Sequence, residues 1–240
     1  MEKLINNIIT EYSYLELFLL SFIYFFILYF LLGPLFKMAC EQLEKRQLLY
    51  RITERKLREN QTRFEILHSL KSIVVFGFSI VPIIYLFRNN YVEVLPSSCL
   101  NICLGVLLLT SWNEIHFYIS HKVLHLPYFM NKIHYIHHYS TVPTVYSVYS
   151  FHWIEALILS TVPLTIILFI PIPMLSMFIY PLISILLNFA GHCNFRIGNG
   201  NGHSLLLFGS RHNRHHVKGY KNYGFVLDIF DKLFSNRNKS

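Results

Sequence analysis

Histidines carry the most distinctive chemistry in this sequence. Of the thirteen in a 240-residue chain, nine fall in tight sets: His121 and His125 in H-K-V-L-H, His134, His137 and His138 in H-Y-I-H-H, His212, His215 and His216 in H-N-R-H-H, and His192 just past a long apolar stretch. Residues three and four apart share one face of a helix, so each set aims two or three imidazoles at one point. That many nitrogens exceed the needs of one tetrahedral zinc. They suit two metal ions with four or five nitrogen ligands each and positions left for oxygen. Isolated histidines such as His68 and His203 are read as ordinary interfacial side chains. His116 lies five residues before His121 and is left out of the ligand set.

The helix leading into the first set carries a stripe. Glu114, Tyr118, His121 and His125 stand at i, i+4, i+7 and i+11, which places all four on a face directed at the site. Glu114, Glu155 and Asp231 are expected to hold ligand imidazoles in one tautomer. On spacing alone, an interfacial ion pair is the alternative for each carboxylate. Tyr118 is expected beside them at the reaction site.

These residues must be positioned by a membrane scaffold. Hydrophobic residues make up 53% of the chain and charged ones 14%, against about a quarter charged in soluble domains. Residues 14–36 carry one charge, Glu16, and residues 94–113 carry none. Both are long enough to cross a hydrocarbon core of roughly 30 Å. Residues 72–87 lie between Lys71 and Arg88, which can snorkel to the two interfaces. Residues 156–190 are uncharged and broken by Pro171-Ile-Pro173, so they predict a hairpin. The fold class expected is all-α, a multi-pass membrane helical bundle of about five spans. Its first apolar segment is too long for a cleavable signal peptide and no small-residue cleavage site follows.

Sidedness follows from basic residues. Nine lysines and arginines between Lys37 and Lys71 predict a cytoplasmic segment, read as a charged helix on the membrane surface. Counting spans from there puts every histidine set, and a basic C-terminus, on that same side. The chain thus divides into an N-terminal span (1–36), a basic surface helix (37–70) and a catalytic membrane region (71–240) with a cytoplasmic histidine-rich helical cap. The formal charge of +8 reflects this sidedness and attraction to anionic headgroups, and is no sign of nucleic acid binding. Cys40, Cys99, Cys103 and Cys193 have no paired spacing and predict no disulfide framework.

In order and spacing these residues resemble the fatty acid hydroxylase and sterol desaturase superfamily of membrane oxygenases. The resemblance runs from Glu114 through His121 and His125, His134 to His138, His152 with Glu155, His192, and His212 to His216. It ends at Asn222-Tyr223-Gly224 and Phe230-Asp231-Lys232-Leu233-Phe234. Gly209-Ser210-Arg211-His212 is most similar to methylsterol oxidases. Lys122 stands where the family has Arg, and Phe230 where it has Trp; neither change removes a ligand. The resemblance implies membrane hairpins capped by helices that hold two iron ions, and O2-dependent hydroxylation or desaturation of a bilayer lipid. It also implies electrons from a b-type cytochrome and its NADH-dependent reductase, since the chain has no haem domain of its own. A sterol-like lipid is the first expectation and a fatty acyl or alkyl lipid the second. The membrane is expected to be the endoplasmic reticulum in a eukaryote or the inner membrane in a bacterium. A histidine-rich metal transporter and a non-catalytic relative are the alternatives. A transporter would carry polar residues at mid-membrane depth rather than beyond the span ends.

Overall fold

The computed structural model describes residues 2–198 and 208–234, so His203 lies outside the described residues. Helices α1 (Glu2–Glu11), α2 (Tyr14–Phe30) and α3 (Leu32–Lys45) follow one another, the last two forming an apolar rod from Tyr14 to Lys45. Ser13 starts that rod with a capping box, its hydroxyl accepting from the Glu16 N–H while Glu16 accepts from the Ser13 N–H at 2.8 Å. A second rod joins α4 (Gln61–Phe78) to α5 (Ile80–Arg88), and α6 (Cys99–Leu124) is a single helix capped by Ser98.

The segment 37–70 departs from the single surface helix expected from sequence. α3 ends at Lys45, Gln47 and Asn60 take left-handed backbone angles that no helix tolerates, and α4 begins only at Gln61. Between them a short strand, β1 (Leu49–Arg51), pairs antiparallel with β2 (Phe195–Ile197), Tyr50 opposite Arg196. This small sheet ties the charged linker to the backbone just beyond His192.

After α6 come α7 (Pro127–Phe129), one π-helical turn (Met130–His134), α8 (Tyr135–His138) and a 3-10 turn (Val145–Tyr149). The apolar stretch 156–190 folds as the hairpin its prolines imply, with unequal arms. The shorter is α9 (Trp153–Ser160) with α10 (Val162–Ile167); the longer is α11 (Met174–His192), N-capped by Pro173. The last described elements are α12 (Phe208–Lys218) and α13 (Ile229–Phe234). Four helices among the described residues are therefore long and apolar enough to cross a membrane, Tyr14–Lys45, Gln61–Arg88, Cys99–Leu124 and Met174–His192, with Trp153–Ile167 shorter.

This is a multi-pass helical membrane bundle, and its outward faces suit lipid: Leu15, Leu19, Ile23 and Ile27 on α2 and Leu100, Leu104 and Leu107 on α6 are exposed. Inside, one apolar cluster gathers Leu17, Ile84, Leu109, Ile166 and Met177, and a second, nearer the histidines, gathers Tyr29, Ile73, Val148, Ile185 and Phe189. α6 and α11 approach closely where Gly105 meets Ser176; a Cβ there would lie 2.5 Å from the Ser176 hydroxyl.

Candidate metal centre

Nine histidines converge where α6, α8, α11 and α12 end or begin. They form two groups, within each of which the possible ligand atoms lie within 4.8 Å of one another. One group holds His121, His125, His134, His138 and His215; the other holds His137, His192, His212 and His216. The i, i+4 pairs His121/His125, His134/His138 and His212/His216 each stay together, as helical geometry requires. The remaining member of each H-x-x-H-H set crosses over, His137 to the second group and His215 to the first. Each of these two helical segments thus serves both positions.

The ring nitrogens face inward. In the first group His125 Nε2 and His138 Nε2 each lie 3.1 Å from His215 Nε2. In the second, His212 Nε2 lies 2.9 Å from His192 Nε2 and 3.1 Å from His216 Nε2, and His137 Nε2 lies 3.4 Å from His192 Nε2. Nε2 of His121 and of His134 is buried without a hydrogen-bond partner, which a buried polar atom rarely tolerates. On the outer side four Nδ1 atoms are held by oxygen: His121 by the Tyr223 carbonyl (2.9 Å), His134 by Glu155 Oε1 (2.8 Å), His192 by the Asn188 carbonyl (3.0 Å) and His215 by the Lys221 carbonyl (2.7 Å). Donation from Nδ1–H to oxygen leaves the Nε2 lone pair pointing at the centre, the tautomer a metal needs. Orphaned inward nitrogens and an all-imidazole donor set fit two ions of an imidazole-preferring metal such as iron.

Burial keeps the rings outside the spans neutral. Burial, with neighbouring histidines adding to it, holds His134, His137, His212 and His216 well below the usual imidazole range. It pushes His138 down to about 2, again with His215 and His125 contributing, and His215 down to about 4. A neutral imidazole can ligate without first losing a proton.

The sequence-selected partners have sharper roles than expected. Glu155 holds an imidazole directly, through His134. Glu114 does not; its carboxylate accepts the backbone N–H groups of Phe225, Val226 and Leu227, each at 3.0 Å for the nearer oxygen. Asp231 likewise accepts from the Tyr223 and Gly224 N–H groups, both at 2.9 Å. Both carboxylates therefore act on the 223–227 backbone, which delivers the Tyr223 carbonyl to His121. Gly224 is required in that turn, because a Cβ would fall 2.1 Å from the Leu227 carbonyl oxygen.

Tyr118 is placed against the C-terminal helix, its ring 5.3 Å from Phe230 and 5.9 Å from Phe234, with the Lys122 ammonium over its face. The tyrosine that does adjoin the histidine cluster is Tyr223, with ring centroids 5.0 Å from His125, 5.6 Å from His215 and 5.9 Å from His121. Its only signal in the sequence is the Asn-Tyr-Gly triplet. His116, His68 and His152 stay outside both groups. They bond the Thr161 hydroxyl, the Phe64 carbonyl and the Ile154 N–H respectively.

Inside the bundle an apolar cavity of about 350 Å³ runs beneath the histidines. Phe117 and Phe151 belong both to its wall and to the packing around the histidine cluster, their rings 4.8 Å from His121 and 4.9 Å from His137. Asn188, whose carbonyl holds His192, also lines it. The sequence model described as fatty acid hydroxylase matches residues 106–236, more than half of the chain and every one of the nine histidines. No solved structure matches the chain.

Proposed function

The chain belongs to the fatty acid hydroxylase family, and on that premise we propose that it is a membrane di-iron oxygenase that hydroxylates or desaturates a sterol-like lipid. The observation that carries this reading is the convergence of nine imidazoles, in groups of five and four, at one end of an apolar cavity. In this reading His121, His125, His134, His138 and His215 hold one iron, and His137, His192, His212 and His216 hold the other. When bound, the two irons supply the reduction of O2 that oxidises an unactivated carbon.

The chain supplies everything around that chemistry. Tyr223, Glu155, Asn188 and Lys221 fix four imidazoles in the ligating tautomer. The apolar wall accepts a lipid from the bilayer and excludes water from the oxidised carbon. Phe117 and Phe151 bring that wall against the ligand rings. Electrons come from outside the chain, from a b-type cytochrome served by an NADH-dependent reductase, docking on the basic cytoplasmic face around residues 37–71. The histidine end and the C-terminus face the cytoplasm, with the endoplasmic reticulum or a bacterial inner membrane as host. A fatty acyl or alkyl lipid is the second choice of substrate.

The test is metal analysis of purified protein together with lipid turnover. About two irons per chain and O2-dependent loss of a sterol-like lipid are expected. Metal uptake into proteoliposomes without O2 consumption would overturn the reading in favour of transport.

A further inference from the structure

Several polar groups in the cavity wall are already satisfied within the protein. Ser79 donates to the Phe76 carbonyl (2.6 Å), Ser160 to the Leu157 carbonyl (2.8 Å) and Tyr24 to the Phe178 carbonyl (2.6 Å). Asn113 differs from them. It is only 6% exposed, it lines the cavity, and no hydrogen bond holds its side-chain amide among the described residues; the Asn188 amide on the same wall is likewise unheld but less buried. It stands eight residues before His121 on α6, about 12 Å along the axis at ~1.5 Å per residue. The next residue, Glu114, is committed to the Phe225–Leu227 backbone. One turn of α6 therefore anchors the 225–227 backbone and presents a bare amide to the cavity.

A lipid that fills this cavity displaces any water that hydrates the amide. It must then offer a hydrogen-bonding group of its own or leave Asn113 orphaned in an apolar surround, which is costly. The amide is neutral, and no charged side chain lines the cavity among the described residues. A carboxylate brought there would be buried without a counter-charge. A hydroxyl fits, because the amide can both donate to it and accept from it.

We propose that Asn113 is a specificity-determining residue that reads the hydroxyl of a neutral lipid alcohol. The substrate binds with that hydroxyl in the membrane part of the cavity, about two helical turns below the histidines, and meets the metal centre at a carbon remote from it. The proposal rests on the lipid-oxygenase reading, but it concerns binding and needs neither bound iron nor O2.

The experiment measures equilibrium binding to the purified full-length protein in detergent. The probes are cholesterol with its hydroxyl-free counterpart cholestene, octadecanol with octadecane, and stearate. Wild-type protein should favour the alcohol of at least one pair by about tenfold or more, and should bind stearate no better than octadecane. Asn113→Leu should bring that ratio near one with metal content unchanged. Asn113→Ala, which is smaller and adds no bulk to the packing, should do the same and serves if the leucine variant does not accumulate. An undiminished ratio in the variants would overturn the proposal, as would wild-type protein that binds neither alcohol or makes no distinction within either pair. Failure of the oxygenase reading would show separately, as missing iron or turnover beside an intact binding ratio.

Discussion

Glu155 and His134 form a carboxylate–imidazole pair at 2.8 Å, with side chains 3% and 1% exposed. A carboxylate in that position raises the basicity of the ring it holds, whereas an amide only orients it. Glu155→Gln should therefore cost about 10- to 100-fold in metal affinity or turnover while leaving membrane insertion intact, measured by chelator competition and lipid assay. Unchanged retention would reduce Glu155 to a packing residue. At this scale much could be read from the sequence, because helical spacing fixes which imidazoles share a face and His212 and His216 had to meet. The partners of Glu114 and Asp231 could not be read. They are backbone N–H groups more than a hundred residues away for Glu114, and a backbone donor leaves no signature in residue type. Tyr118 shares the face of His121, but the aromatic rings of α13 claim it.

Elements bring in constraints that periodicity does not carry. The π-helical turn Met130–His134 and the three-residue strands Leu49–Arg51 and Phe195–Ile197 are too short to show a repeat, so the linker 37–70 reads as a helix until its left-handed Gln47 and Asn60 are seen. The prolines at 171 and 173, by contrast, announced the hairpin. The loop from Asn222 to Asp231 is the element most exposed to a single change. Gly224→Ala would force a methyl to within 2.1 Å of the Leu227 carbonyl oxygen, which the loop relieves only by moving. That movement pulls the Tyr223 carbonyl from His121 and weakens the grip of Glu114. We expect Gly224→Ala to insert and accumulate but to lose metal from the five-histidine group first, seen as a fall in metal stoichiometry towards one per chain. Full stoichiometry would show that the loop does not govern His121.

The molecule as a whole concentrates its buried histidines at one end, and that gives it a direction of pH sensitivity. His215 and His138 are held at about 4 and about 2 when folded, against ~6.5 in an unfolded chain. As pH falls through 6.5 the unfolded state takes up protons that the folded state refuses, so stability contributed by these groups is present above that value and declines below it. Acidification from neutral towards pH 4 should lower the thermal midpoint of metal-free protein in detergent. The fall should be smaller in a variant with His138 and His215 both replaced by Gln, and an equal fall would show that these two rings do not set the response. The scaffold itself was largely legible, since long uncharged runs admit few structures other than spanning helices. The unequal hairpin was not, because nothing in residues 156–190 marks where its first arm stops. That arm, Trp153–Ile167, is about 22 Å long at ~1.5 Å per residue, against a hydrocarbon thickness of roughly 30 Å. Lipids beside it must shorten or pucker to avoid leaving its ends unsolvated, at a fraction of a kcal/mol per Å of mismatch. The protein should therefore dimple the bilayer on the side where Leu159 and Pro163 wall the cavity. It should last longer at elevated temperature in vesicles of short-acyl phosphatidylcholine than in long-acyl ones, and membrane thickness would then act as a selector of where this protein resides.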